Sequence, residues 1–228
     1  MKDQFYHIIS NLAIFCYFIP LLIVSWKNLW RDAFFMLFAA YWMIGGFLNV
    51  NEMVHVMNAN TRFLTGVIYN MLDIPLVLII FYFTTNSIFV KQFTRFSVLA
   101  FIIIETLNIF LNGSGHLKYI LGLGLILVLV VITWEVIRYL QKMVHSNRQN
   151  AMTCMYASLL FKYGMFVVIY FFNYFIPGTD AQDNYLIYYV SSVVAIGIAA
   201  SGYLVLRKKP NVPRSEKIVV RDEFKFLE

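Results

Sequence analysis

The sequence predicts an all-α integral membrane protein, folded as a compact bundle of seven transmembrane helices. The first observation is composition: of 228 residues, 61% are hydrophobic and 13% are charged, whereas soluble domains carry about 25% charged residues. The second is that the apolar runs are continuous and long enough for membrane-spanning helices, which need about 20 residues each. A transmembrane β-barrel would show shorter segments of alternating polarity.

Seven segments meet this length, and short polar loops separate them. They lie near 5–26, 33–54, 63–84, 94–112, 117–140, 152–176 and 184–206. We predict that the first is retained as a span, because no small-x-small cleavage site follows it. The loops are too short to hold a soluble domain. We therefore expect one seven-helix transmembrane domain over 1–206 and a short charged cytoplasmic tail over 207–228.

The distribution of Lys and Arg predicts the orientation. The loops of one side, together with the tail, contain 14 of these residues, and the loops of the other side contain three. Because an excess of Lys and Arg marks the cytoplasmic side, we expect the N-terminus outside and the C-terminus in the cytoplasm, most simply in a bacterial inner (plasma) membrane. The net charge of +6 then reflects topology, so the lipid bilayer is a predicted partner and nucleic acid is not.

The first two spans contain few polar residues until the outer end of the second, where Glu52 and His55 share a helix face. His7 and His116 are predicted on the same side of the membrane. Their spacing matches no known set of metal ligands, so we predict no metal site there.

The third and fourth spans each place a carboxyl group near the middle of the bilayer. In the third, Asp73 lies about 11 residues from the start of the span, and Tyr69 and Asn70 share its helix face. In the fourth, Glu105 lies near the middle, with Asn108 one turn closer to the outside. A charged side chain at this depth is costly, and such residues usually mark a functional site.

The fifth span carries Glu135 near its cytoplasmic end, three residues before Arg138, a spacing that favours an interfacial salt bridge. The sixth span places Lys162 at mid-depth, beside Tyr163, and Ser158 lies one turn away on the same face. In the seventh, Ala195 and Ala199, and likewise Gly197 and Ser201, have the small-xxx-small spacing that allows close helix packing.

Asp73, Glu105 and Lys162 are thus predicted at one depth on three helices, and we expect a shared acid–base cluster. Two carboxylates and one ammonium leave a formal charge of −1, which a bound cation or a proton would balance. The candidate ligand-binding or proton-coupling residues are Asp73, Glu105, Lys162, Asn70, Asn108, Tyr69, Tyr163 and Ser158. The alternative is that these polar side chains only hold the helices together.

The N-outside arrangement of seven spans resembles that of microbial rhodopsins, and the stretch from Asp73 to Leu76 is similar to the acid-then-Pro-Leu pattern of their third helix. Those proteins bind retinal through a lysine of the seventh helix. Residues 184–206 contain no lysine, which excludes covalent retinal at that place. The topology is also similar to that of SWEET-type sugar transporters, whose repeats each begin with a proline-containing helix; Pro20 fits this pattern, but the fifth span has no proline.

We predict a membrane protein that binds a small polar or ionisable solute, or a proton, at a midplane site, as a transporter. The alternatives are a seven-helix sensor or receptor, or a non-catalytic subunit of a membrane complex, and a homo-oligomer or a membrane partner protein is compatible with each. Enzymatic activity ranks last, because the sequence contains no nucleophile elbow, metal-ligand set or phosphate-binding loop.

Overall fold

Seven α-helices contain most of the residues whose backbone the structure, a computed structural model, describes: 2–53, 59–85, 87–112, 117–141, 146–176 and 181–206. Side chains are described for 4–50, 72–85, 87–108, 119–141, 146–176 and 183–206. The helices are α1 (Lys2–Trp26), α2 (Ala33–Met53), α3 (Ala59–Thr84), α4 (Ile88–Asn112), α5 (Leu117–Leu140), α6 (Asn147–Phe175) and α7 (Ala181–Val205), with a 3₁₀ turn at Leu29–Arg31. Each predicted span coincides with one helix, and the described backbone contains no strand. The predicted tail, 207–228, lies outside the described residues.

Within the described residues, five of the helices are long and apolar enough to cross a membrane. These segments are Gln4–Trp26, Ala33–Val50, Tyr119–Leu140, Asn147–Phe175 and Asp183–Val205. In α3 the described side chains form a shorter apolar segment, Leu72–Thr84, and α4 carries three charged side chains along its described length, those of Lys91, Arg95 and Glu105. The prediction of an all-α membrane protein is confirmed to this extent, and the seven crossings and their orientation stay predictions.

The helices pack in chain order, and α7 closes the ring by packing against α1. The most extensive contact is between α6 and α7, whereas α4 packs mainly against α3 and only lightly against α5. Because connections are short, consecutive helices run in opposite directions. The bundle therefore has an N-terminal end, where α1, α3, α5 and α7 begin, and an opposite end, where they finish.

The core is rich in aromatic rings because α1, α2, α6 and α7 direct theirs inward. The largest fully buried side chains include Trp42, Tyr17, Tyr163, Tyr203 and Phe38. Outward-facing side chains are also apolar, among them Phe15, Phe96 and Leu123, each more than half exposed. Apolar groups on both faces are typical of helices surrounded by lipid.

Small residues allow close helix contacts at several positions, and two of these, Ala195 and Ala199, were predicted. A Cβ on Gly46 would lie 2.9 Å from Cβ of Tyr17 on α1, so any larger residue there would push the two helices apart. In α7, Ala195 and Ala199 are fully buried, as a packing role requires. The prediction for Gly197 was wrong within this bundle: a Cβ there would meet no atom of the described residues within 4 Å, because that face of α7 is exposed.

Lys27 fixes the end of α7 against the end of α1. Its amine is buried and donates hydrogen bonds to the backbone oxygens of Tyr203, Leu204 and Leu206, at 3.0, 2.7 and 2.5 Å. The last carbonyl groups of a helix have no partner within the helix. The Lys27 amine satisfies them and holds the two helix ends together at the opposite end of the bundle.

Candidate functional site

Asp73 and Lys162 meet inside the bundle through the hydroxyl group of a tyrosine on α2. Lys162 Nζ donates a hydrogen bond of 2.6 Å to the Tyr41 hydroxyl, which donates one of 3.1 Å to Asp73 Oδ1. Tyr163 donates to the other carboxylate oxygen, Oδ2, at 2.7 Å. The amine and Oδ1 are 4.0 Å apart. We call these four residues, Tyr41, Asp73, Lys162 and Tyr163, the charge centre.

Three helices form the charge centre, and its charged groups are withdrawn from the surface. Asp73 is 6% exposed and Lys162 is 1% exposed. Charged groups are buried only where other groups compensate them. Here the two formal charges have opposite signs and compensate each other, and the carboxylate accepts hydrogen bonds from two hydroxyl groups.

Aromatic rings enclose the Lys162 amine on its remaining sides. It lies 4.5 Å from the ring centroid of Tyr41, 4.9 Å from that of Trp42 and 5.1 Å from that of Phe166. Ring faces attract a cation at distances below about 6 Å. These contacts stabilise an ammonium group whose only hydrogen bond in the described part of the protein is to Tyr41.

A cavity of about 370 Å³ reaches the charge centre from the N-terminal end of the bundle. Asp73 and Ile74 lie at its floor, and Asn49 and Tyr188 lie on its sides. Its remaining wall is formed by Leu48, Leu121, Leu125, Phe166, Ile169, Tyr170, Asn173, Tyr174 and Tyr185. Among the described residues, Asp73 lines this cavity and Lys162 does not, so the acid of the pair borders the cavity and the amine does not.

A chain of hydrogen bonds leads away from the cavity into the protein. Asn49 Nδ2 donates to the Tyr188 hydroxyl at 3.2 Å and to the Gly45 carbonyl oxygen at 2.7 Å. The hydroxyls of Tyr188 and Tyr17 are 2.9 Å apart, and Tyr17 donates to Ser192 Oγ at 2.9 Å. Since the Tyr17 hydrogen is used on Ser192, Tyr188 is the donor to Tyr17. The chain thus runs from two residues of the cavity wall, Asn49 and Tyr188, to Tyr17 and Ser192 inside the protein.

An aromatic layer separates the charge centre from the opposite end. Phe81 and Tyr156 stack with centroids 5.2 Å apart, and Phe34 meets Tyr156 edge-to-face at 5.7 Å. All three are buried. Beyond this layer lies a second cavity of about 470 Å³, lined by Arg31, Arg138, Arg148, Asp32 and Glu135 among others. The two cavities approach the aromatic layer from opposite ends.

Glu105 does not join the charge centre. It is 3% exposed on α4, and its Oε2 has no hydrogen-bond partner among the described residues. No ion pair or hydrogen bond links it to Asp73 or Lys162 within the part of the chain that the structure describes. The reason is lateral position: α4 packs on α3 and α5, whereas Lys162 approaches Asp73 from α6. Asn108, one turn along α4, is buried on the same peripheral helix.

The other predicted site residues divide into three groups. Tyr163 belongs to the charge centre. Ser158 is buried, but its hydroxyl donates to the Met155 carbonyl oxygen of its own helix at 2.7 Å, so it contacts the helix backbone and not the centre. The side chains of Tyr69 and Asn70 lie outside the described residues, as do those of Glu52 and His55.

Two ion pairs lie near the opposite end. Arg138 contacts Glu135 at 3.4 Å, which confirms the predicted pair, and Thr85 also donates to that carboxylate at 2.6 Å. The second pair was not predicted: Arg148 donates to both oxygens of Asp32, at 3.1 and 3.0 Å.

Tyr41, Asn49 and Tyr188 were also missed as site residues. Their common property is a polar group within an apolar span, and buried tyrosine hydroxyls need a partner. With 15 tyrosines in the chain, this property alone does not identify the three that contact the centre or its cavity.

The arrangement offers an acid that lines a cavity, an amine beside it and a hydroxyl group that bonds to both. Such a set can bind a polar or charged group and can pass a proton between acid and amine. Comparisons of the chain with models of protein families, with curated proteins and with solved structures find no match.

Proposed function

We propose that the protein is a membrane transporter that binds a small polar or ionisable solute at the charge centre, entering from the N-terminal end of the bundle. The observation that carries this proposal is the cavity of about 370 Å³ whose floor is Asp73. A buried charge pair used only for packing would have no need of an open passage to its carboxylate. Midplane sites between helices are also where transporters bind their substrates.

The two cavities support transport over simple binding. Alternating access requires a site that opens to one side while a barrier closes the other. The aromatic layer of Phe34, Phe81 and Tyr156 is such a barrier, and the second cavity, of about 470 Å³, lies directly beyond it. Movement of α6 relative to α3 would separate Tyr156 from Phe81 and connect the centre to the opposite end.

We further propose that all seven helices cross the membrane, with the N-terminus outside and the C-terminus in the cytoplasm. The outward face of α4 supports a crossing, because Phe89, Phe96, Ile103 and Leu107 are each more than half exposed. The distribution of Lys and Arg supports the orientation. A reporter fused after Glu228 should read as cytoplasmic, and a periplasmic or extracellular reading would overturn this topology.

Transport is tested with purified protein in liposomes, using radiolabelled amines, amino acids, sugars and carboxylates. We expect the wild type to accumulate at least one of these solutes. The double variant Asp73→Asn/Lys162→Met, which removes both charges, should fold and lose uptake. Glu105→Gln, which alters a buried acid outside the cavity, is the matched control and should keep uptake. A double variant with normal melting temperature and full uptake, or a wild type that accumulates no solute, would contradict the proposal.

The second candidate is a membrane sensor. The polar cavity at the opposite end favours it, because Arg31, Arg138 and Arg148 there are accessible to a cytoplasmic partner. A sensor would bind the solute at the same centre without accumulating it, so binding in detergent combined with no uptake in liposomes would favour the sensor.

A further inference from the structure

We propose that the ligand class of the charge centre is small organic cations, with an ammonium group bound by Asp73 in exchange for the proton on Lys162. This inference rests on the proposed function of the same site. It adds the charge of the solute and the ion that is exchanged for it. The proposed transport function specifies neither.

The floor of the cavity presents acceptors. Both oxygens of Asp73 are carboxylate oxygens, and the hydroxyl hydrogens of Tyr41 and Tyr163 are already donated to them. Both donor bonds of Asn49 go to Gly45 and Tyr188, which leaves its amide oxygen as the available group. The group of a ligand that binds against Asp73 must therefore bring donors, and an ammonium group carries up to three.

The charge and the walls of the cavity favour a cation over a neutral donor. Asp73 is the only formally charged side chain among the described residues that line it. Its walls include the rings of Phe166, Tyr170, Tyr174 and Tyr188. Phe166 and Tyr188 stack with centroids 5.6 Å apart, which forms a continuous aromatic surface in the wall of the cavity that Asp73 lines. A carboxylate with facing aromatic rings is the usual protein environment for an organic ammonium ion.

The proton on Lys162 must leave for the cation to bind tightly. Two ammonium groups would otherwise share one carboxylate, and like charges at such distances repel strongly where water is excluded. The Tyr41 hydroxyl accepts from Lys162 and donates to Asp73, so it connects the two groups. A proton can pass from Lys162 to the Tyr41 oxygen while the Tyr41 proton passes to Asp73 and on to water in the cavity. The net change is one cation bound, one proton released and a neutral amine at Lys162.

The other titratable groups around this centre are tyrosines. Tyr41 faces it from α2 and Tyr163 from α6, and Tyr17 on α1 and Tyr188 on α7 lie in the adjoining hydrogen-bonded chain. In the described part of the bundle no second carboxylate or amine contacts the pair. Lys162 is accordingly the group that can release a proton on binding.

The test uses purified protein in detergent and a panel of small solutes in matched sets of three. Each set contains an amine, its alcohol and its carboxylate, for example phenethylamine, 2-phenylethanol and phenylacetate, with smaller and aliphatic sets beside it. Binding is measured by calorimetry near neutral pH in two buffers that differ in ionisation enthalpy, so that proton release is measured in the same experiment. We expect at least one amine to bind, its alcohol and carboxylate not to bind, and up to one proton to be released per amine.

Two variants and one control test which residues amine binding depends on. Asp73→Asn/Lys162→Met should melt near the wild-type temperature and bind the amine about tenfold or more weakly, the loss expected when a hydrogen bond to a charged group is removed. Tyr174→Leu, which removes one exposed ring of the cavity wall, should weaken binding by a smaller factor. Glu105→Gln should leave both affinity and proton release unchanged.

The possible outcomes test the ligand class and the proton exchange separately. Binding of an alcohol or a carboxylate in preference to its amine, or no binding by any amine, would overturn the proposed ligand class. Amine binding without proton release would overturn the exchange. These failures are distinguishable from failure of the proposed function. Uptake of a neutral or anionic solute that depends on Asp73 would support a transporter but contradict the cationic ligand class. Amine binding without uptake would support the ligand class but contradict transport.

Discussion

Two buried acids on neighbouring helices lie in opposite surroundings. Asp73 on α3 accepts hydrogen bonds from two tyrosines and has an amine 4.0 Å away, at the floor of an open cavity. Glu105 on α4 is as deeply buried, but Oε2 has no hydrogen-bond partner among the described residues, and the residue does not line either described cavity. Burial does not distinguish them, since both are less than 10% exposed, although Asp73 lies near the middle of α3 and Glu105 lies seven residues from the end of α4.

The difference shows what makes a buried acid part of a site. A lone carboxyl group in an apolar region lowers its free energy by staying protonated. A carboxylate needs a compensating charge and donors, and the structure supplies these only to Asp73. We therefore expect Asp73 to act as a charged group and Glu105 as a neutral one, and substitutions at the two positions should differ in their effect on stability.

The largest effect is expected for Asp73→Asn. This change leaves the Lys162 ammonium buried without its counter-charge, and breaking a buried pair in this way costs about 3–5 kcal/mol. Steric trapping in bicelles measures the free energy of unfolding of a membrane protein and is suited to this comparison. Adding Lys162→Met should restore most of the loss, because it removes the stranded charge. If the single variant is as stable as the wild type, the pair is not charged.

A smaller loss is expected for Tyr41→Phe. The Tyr41 hydroxyl is the only hydrogen-bond acceptor of Lys162 in the described part of the protein, and a hydrogen bond to a charged group contributes about 1.5–3 kcal/mol. Tyr82→Phe is the matched control, because no described residue hydrogen-bonds to the Tyr82 hydroxyl. Equal losses for the two variants would show that the Tyr41 hydroxyl does not connect the pair.

The smallest effect is expected for Glu105→Gln. If this acid is already protonated, replacing it with an amide of nearly the same shape changes the free energy of unfolding by less than about 1 kcal/mol, since no hydrogen-bond partner is stranded. The same measurement applies. A loss of unfolding free energy as large as that of Asp73→Asn would mean that Glu105 is charged and compensated. The two acids would then not differ in the way proposed.

The helices were predictable from the sequence, and their ends were less so. Hydropathy placed the fourth span at 94–112 and the sixth at 152–176, whereas α4 begins at Ile88 and α6 at Asn147. Hydropathy detects the part of a helix that lies in hydrocarbon, while the helix itself continues into polar residues. At α6 it begins at a capping box, in which Ser146 and Gln149 bond to each other's backbone, as the Ser-x-x-Gln pattern allows.

Three of the four residues of the charge centre, Asp73, Lys162 and Tyr163, were predictable for a similar reason. Counting residues at 1.5 Å per residue gives depth, and this brought Asp73, Glu105 and Lys162 to one level. Tertiary packing determines which helices are neighbours and which way each side chain points. Local patterns in the sequence do not reveal this packing. Glu105 was therefore included on depth alone, and Tyr41, which connects the pair from α2, was not singled out.

The most direct test of the central claim is an experimental structure of the protein with the tightest-binding solute of the panel. The account predicts the solute in the cavity at the N-terminal end, with a polar atom within hydrogen-bond distance of Asp73 and its apolar part against Phe166 and Tyr188. A solute bound elsewhere, with Asp73 still contacting only Tyr41, Tyr163 and Lys162, would show that the charge centre holds the helices together and is not the binding site.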